Sequence, residues 1–240
     1  MNNKLKIEKK IISEKSKPYI VAELSANHNG SVDNALKHIK SAKKNGADAI
    51  KIQTYTPDSI TMKSNRKDFL IKKGIWKNKT LYDLYKWAHT PYEWHKKIFD
   101  YANKNQITCF STPFDESGVD LLEKLNTPAY KIASFELIDI PLIKYAAKTK
   151  KPMIMSTGMA SVKEIDDAVN VVEKHNSIKR LILLHCVSGY PTNIELMNLK
   201  KISFLRNRYK CLVGLSDHSK GMIAPIVSVS YGACLIEKHF

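Results

Sequence analysis

The chain has 240 residues, 43% hydrophobic and 26% charged, which fits one large globular domain and excludes disordered and fibrous classes. No apolar run approaches the roughly 18–20 residues of a membrane-spanning helix, and the opening MNNKLKIEKKIISEKSKPYI has no apolar signal core with a cleavage site, so a cytoplasmic protein with no membrane partner is expected. The formal charge of +16 comes from lysines dispersed through segments such as KKNGADAIK and NRKDFLIKKG, without a basic stripe interleaved with aromatics. That pattern argues against a nucleic-acid partner and for an anionic substrate drawn in by the field.

In chain order, residues 1–18 read as a short hairpin or tail, and residues 19–240 as the domain. YIVAELS (19–25) is the first strand-like run, followed by helical periodicity over Asp33–Asn45. Gly46 stands where that helix hands over to the strand DAIKIQT (48–54). Residues 55–90, rich in Lys, Asn and Tyr, form a long excursion of the kind that covers a substrate. A helix is expected over Pro91–Asn105, with Thr90 as N-cap and Pro91 in its first turn. The strands ITCFST (107–112), AYKIAS (129–134) and PMIMST (152–157) follow, then a helix over Val162–His175. RLILLHC (180–186), a helix over Ile194–Arg208, CLVGLS (211–216) and ACLIEKHF (233–240) complete the series. Apolar strands alternating with helices mark parallel βα units. Eight such units favour a (β/α)8 barrel over an open doubly wound sheet.

Each strand run turns polar at its end, and a barrel gathers all those ends around one cavity. Every second residue points inward. That parity groups Glu23 with Ser25, Lys51 with Gln53, Ser216 with His218, and Glu237 with His239. His218 and His239, on adjacent strands, are placed to bind a divalent ion with positions left open for water and substrate. Glu237 can orient its neighbour, and Asp217 can cap the next helix. His185 has outward parity and reads as a hydrogen-bonded core histidine. Cys109, Cys186, Cys211 and Cys234 form no CxxC pair and read as reduced core thiols. Lys51 and Lys131, with the hydroxyls of Thr112, Ser134, Ser156, Ser188 and Ser216, make a ring of donors suited to a phosphate and a carboxylate. A small double anion such as phosphoenolpyruvate fits that inventory. No GxGxxG or P-loop supports a nucleotide.

AELSANHNG, KIQTYTPD, LYDLYKWAHTPYEWH, STPFDESGVDLLEKL, PAYKIASFE, KPMIMSTGMAS, GLSDHSKG and IEKHF resemble the sialic acid synthase family over nearly the whole chain. ELSANHNG, LYDLY with TPYEW, and KIASFE are closer to its pseudaminic acid branch than to the N-acetylneuraminate branch, while LLHCVSGYPT is mixed. The resemblance implies a condensation of phosphoenolpyruvate with an open-chain amino-sugar aldehyde, giving a nine-carbon 2-keto acid and phosphate. It assigns His218 and His239 to a manganese or magnesium ion, and Lys51, Thr112, Lys131, Ser134, Ser156 and Ser216 to phosphoenolpyruvate. Ser188 sits where some members carry Asn. Glu23, Gln53 and Tyr190 match sugar-facing positions, and Glu136 matches a position near the reacting carbons, where it could handle the attacking water. An N-acetylneuraminate or legionaminic acid synthase, another phosphoenolpyruvate-condensing barrel, an inactive fragment and a non-enzymatic basic barrel are the alternatives. Full-length members are homodimers that continue through a final helix into an antifreeze-like domain. The chain is therefore expected to be a truncated form, exposing apolar surface beside the first and last barrel strands.

Overall fold

The computed structural model describes residues 3–73 and 76–240. Residues 1–2 of the expected hairpin or tail, and 74–75 of the expected excursion, lie outside the described residues. Strands β1 (Lys4–Ile7) and β2 (Lys10–Ser13) form an antiparallel hairpin. Eight parallel strands then close a barrel, with the last against the first. They are β3 (Tyr19–Glu23), β4 (Ala49–Thr54), β5 (Thr108–Pro113), β6 (Tyr130–Ile132), β7 (Met153–Ser156), β8 (Leu181–Cys186), β9 (Leu212–Asp217) and β10 (Ala233–His239). The helices are α1 (Val32–Lys44), α2 (Pro57–Ile60), α3 (Leu81–Ala88), α4 (Tyr92–Lys104), α5 (Glu116–Lys124), α6 (Ile140–Lys148), α7 (Val162–His175), α8 (Lys200–Tyr209) and α9 (Ile223–Ser230). The (β/α)8 barrel expected from the alternation is the observed fold.

Strand alternation splits the core into two layers. Val21, Phe110, Ile154, Ile182, Leu212 and Leu235 fill the barrel interior, and Leu5, Ile7 and Ile12 of the hairpin join that cluster. Ile50, Ile132, Met155, Leu183 and Leu215 face outward, packing with Ile39, Ile98, Leu122, Ile143 and Val169 of the helices. With the lower interior filled by side chains, open space is left at the strands' C-terminal ends.

Two helix boundaries differ from the sequence reading. The helix expected over Ile194–Arg208 is a single 3-10 turn, Ile194–Leu196, followed by α8 from Lys200. Asn198 lies between them with φ 40°, a left-handed conformation that Asn tolerates and a continuous helix does not. Before α4, Pro91 itself takes the cap position in an extended conformation (ψ 139°), so the helix starts at Tyr92. The Thr90 hydroxyl is buried without a hydrogen-bond partner rather than capping that helix.

Two helices of the excursion after β4 start from capping boxes. Thr56 and Ser59 form a reciprocal capping box on α2, and Thr80 and Asp83 form one on α3. Ile20 and Phe240 near the β3–β10 seam are partly exposed, as are Ile223 and Ile226 of α9. No helix among the described residues is long and apolar enough to cross a membrane.

Candidate active site

At the C-terminal ends of the barrel strands lies a cavity of about 330 Å³. Its floor is a cluster of four buried charges from four strands. Lys51 of β4 meets Glu23 of β3 at 2.6 Å and Glu237 of β10 at 3.6 Å, and Lys131 of β6 meets Glu237 at 3.4 Å. Lys51 also donates to the Thr112 hydroxyl (3.2 Å), and Ser216 donates to Glu237 (3.2 Å). Two ammonium and two carboxylate groups removed from water demand such mutual pairing.

The four groups do not titrate alike. Burial pushes the Glu23 carboxyl up, and Lys51 only partly offsets it. Burial pushes Glu237 the same way, but Lys131 and Lys51 together outweigh it and hold that carboxyl below its ordinary value. Burial lowers Lys131, and Glu237 opposes the effect. On Lys51 burial acts downward too, yet Glu23 and Glu237 overcome it and raise the ammonium pKa. The floor is thus charge-balanced, with Glu23 the carboxyl most ready to accept a proton.

Two imidazoles stand together in the cavity. The rings of His218 and His239 are 5.4 Å apart between centroids, and Tyr190 lies 4.1 Å from the His218 ring. His218 Nδ1–H donates to the Val187 carbonyl (2.9 Å), so Nε2 is the ring nitrogen left for a ligand. Burial, and then the charge of His218, lower His239 to about 4, so it is neutral at physiological pH. Burial lowers His218 as well, but Cys186 and the Val187 carbonyl outweigh it and hold that imidazole above its ordinary value. With its proton displaced, the two imidazoles beside an open cavity fit a divalent ion whose other positions go to water and substrate. No group of three or more His, Cys, Asp and Glu suited to a metal occurs among the described residues.

A third feature is a hydroxyl cradle. Gly158, after β7, donates its N–H to Ser134 Oγ (3.2 Å). A Cβ placed at Gly158 would come within 2.6 Å of both Ser134 Oγ and Ser188 Oγ, so the two hydroxyls close over a backbone that only glycine leaves open. Ser156, on the cavity wall, buries its hydroxyl without a partner, as a group awaiting a ligand would.

Of the residues singled out from the sequence, Glu23, Lys51, Gln53, Lys131, Ser134, Ser156, Tyr190, Ser216, His218 and His239 line this one cavity. Three of the expected catalytic and substrate-binding residues do not line it. Thr112 lies beneath, holding Lys51, and Ser188 lies beside Gly158. Glu136 follows the lining residue Phe135 but does not line the cavity itself; its Oε2 is buried without a partner, and burial raises its pKa. His185 faces outward and contacts the Met197 carbonyl at 2.5 Å, in keeping with its parity. Asp217 accepts from Ser219 N (3.0 Å) and Oγ (2.7 Å) and pairs with Lys238. α9 starts at Ile223 with Met222 at its cap, too far along the chain for Asp217 to serve it.

Sequence reasoning missed Cys186, whose thiol lies in the cavity 3.8 Å from His218 Nδ1. The signal was present, because Ile182, Leu184 and Cys186 share one parity. It also missed the ion pairing of Glu237, and the wall made by Tyr55, Leu84, Tyr85, Ala88 and Phe135.

A profile of the NeuB family matches residues 38–240. The chain belongs to the NeuB family. It is 52% identical over 224 residues to the pseudaminic acid synthase of Campylobacter jejuni, covering 93% of this chain and 65% of that one. The pseudaminic acid synthase of Helicobacter pylori is 45% identical over 223 residues, with the same coverages of 93% and 65%. Among solved structures, the N-acetylneuraminic acid synthetase of Leptospira borgpetersenii in complex with citrate aligns with a TM-score of 0.88 at 32% identity, covering 100% of this chain and 79% of that one. The chain thus spans 65% of the length of these two curated relatives. Membership of the NeuB family agrees with the resemblance read from the motifs.

Proposed function

We propose that this chain is the catalytic barrel of a pseudaminic-acid-type synthase, which condenses phosphoenolpyruvate with an open-chain 2,4-diacetamido-trideoxy hexose. The observation that carries the reading is the convergence of Lys51, Lys131, Ser134 and Ser156 with His218 and His239 in one cavity, with Gly158 and Ser188 beside Ser134. The 52% identity to a pseudaminic acid synthase supports the choice of sugar class.

In this reaction the enol π pair of phosphoenolpyruvate forms a bond from its C3 to the aldehyde carbon, and the aldehyde oxygen takes up a proton. Water adds to C2 and loses a proton. The C2–O bond then breaks, phosphate leaves with the bonding pair, and loss of the remaining hydroxyl proton gives the ketone. Lys51 and Lys131 neutralise the phosphate and carboxylate as charge shifts towards the leaving group. The Ser134, Ser156 and Ser188 hydroxyls donate to the anionic oxygens, Ser216 keeps its proton on Glu237 in the floor, and Gln53 and Tyr190 orient the sugar. Glu23 suits the proton transfer from water better than Glu136, because burial raises both carboxyls but only Glu23 lines the cavity. His218 and His239 would hold a manganese or magnesium ion, which supplies Lewis-acid polarisation of the aldehyde.

Lys51 and Lys131 are the only lysines or arginines lining the cavity among the described residues. This disfavours a synthase that takes a phosphorylated aldose, which needs a second phosphate site. The test is mass spectrometry of the products formed from phosphoenolpyruvate, manganese and a panel of amino sugars. The expected product is the nine-carbon keto acid of the diacetamido-trideoxy hexose, with one phosphate released. Failure of every amino sugar to consume phosphoenolpyruvate would contradict the proposal.

A further inference from the structure

The cavity has two chemically different sides. The lysines, the imidazoles and the cradle hydroxyls come from the ends of barrel strands and the loops just after them. Another part of the wall is supplied by α3, from the excursion after β4, through Leu84, Tyr85 and Ala88. Spaced i, i+1 and i+4, these residues share one helix face. None carries a charge or a carboxamide.

This wall is held in place. The capping box of Thr80 and Asp83 fixes the start of α3, and Tyr82 donates from its hydroxyl to Asp58 on α2 at 3.2 Å. Tyr85 packs edge-on against Tyr55 (5.9 Å between centroids), which is itself 2% exposed and edge-on to Phe114 (5.1 Å). Tyr55 directly follows β4, the strand that carries Lys51. The apolar wall and the lysine therefore share one rigid base, and a sugar held at the catalytic groups meets α3 in a defined place.

We propose that Leu84 and Ala88 select the sugar, accepting the methyl-bearing edge of a 6-deoxy, N-acylated hexose and rejecting one that places a hydroxyl there. The proposal rests on the synthase reading above and goes beyond it by naming what sets specificity. A methyl buried against Leu84 and Ala88 leaves water favourably. A hydroxyl in the same place gives up water and meets no donor or acceptor from the side chains of Leu84 or Ala88; the Tyr85 phenol is the polar side-chain group that α3 brings to the wall. Apolar pockets discriminate against an added hydroxyl by up to about a hundredfold.

The test compares kcat/KM for a 2,4-diacetamido-2,4,6-trideoxy hexose with that for its 6-hydroxy counterpart, in the wild type, Leu84→Asn and Ala88→Ser. The wild type is expected to favour the deoxy sugar by about tenfold or more. Both substitutions should shrink that ratio, with Leu84→Asn bringing it close to unity, while KM for phosphoenolpyruvate shifts far less than the ratio does. Circular dichroism checks that each variant is folded, and Ala88→Ser, the smaller change, carries the test should Leu84→Asn not fold. A wild type that uses both sugars equally, or an unchanged ratio in folded variants, overturns the selecting wall alone. A wild type that consumes phosphoenolpyruvate with neither sugar, nor with any other amino sugar, overturns the synthase reading and the wall with it.

Discussion

Lys51 is 3% exposed, and its ammonium is held between the carboxylates of Glu23 and Glu237. Removing one member of such a cluster leaves the others buried without compensation, which typically destabilises by about 3–5 kcal/mol. Lys51→Met should therefore lower the free energy of urea unfolding by that order, and adding Glu23→Gln should restore part of the loss. Strict additivity of the two substitutions would show that the pair is not coupled. Gly158 supports a second expectation at this scale. Gly158→Ala drives a methyl to within 2.6 Å of Ser134 Oγ and Ser188 Oγ, so KM for phosphoenolpyruvate should rise by about tenfold, the value of one lost hydrogen bond to a charged group. Steady-state kinetics with unchanged KM would remove the cradle from the anion site. Lys51, Glu23 and Glu237 were legible in the sequence because inward parity is a local property of a strand; Gly158, in the loop after β7, was not. Cys186 has the same inward parity and was passed over, because a thiol ending an apolar run reads as core.

Among the elements, the strands were read most accurately, since eight apolar runs with polar ends have few other arrangements. Helices failed where one residue decides the outcome: at Asn198, which turns left-handed ahead of α8, and at Pro91, which takes the cap of α4. The α3 wall could not be read, because which residues of an excursion reach a cavity depends on its path in three dimensions. Two predictions belong to this scale. His95 of α4 is fully buried, with its Nδ1–H donating to the Pro91 carbonyl (3.0 Å) and Nε2 accepting from Thr54 (2.8 Å). Burial holds its pKa to about 4, against 6.5 for the free group. Between those values the unfolded chain binds a proton that the folded chain does not. Stability should be unaffected by this group above pH 6.5 and should fall as pH drops from 6.5 towards 4, by up to about 3 kcal/mol. Unfolding free energies of wild type and His95→Gln across that range isolate the effect, and identical slopes would contradict it. Gly214 of β9 lies where the register with β10 shifts, and a Cβ there would stand 2.3 Å from the Leu235 carbonyl oxygen. Because the obstacle is backbone, Gly214→Ala should lower stability by about 1–3 kcal/mol. An unchanged melting temperature would mean that the seam relaxes freely.

For the whole molecule, the closed barrel turns eight separate strand ends into one site. A hairpin joins the core of the barrel interior, a helix from the excursion lines the mouth, and a charge-balanced floor lies between them. The surplus of sixteen positive charges lies outside that floor and supplies a long-range field favourable to an anionic substrate, an effect that salt should weaken. The central claim is that this cavity joins phosphoenolpyruvate to a sugar aldehyde by carbon attack followed by addition of water at C2. Phosphoenolpyruvate labelled with heavy oxygen at the bridging position tests it most directly. The account predicts that all the label leaves in the released phosphate while the keto acid is unlabelled. Label retained in the sugar acid would mean cleavage of the P–O bond and would contradict it.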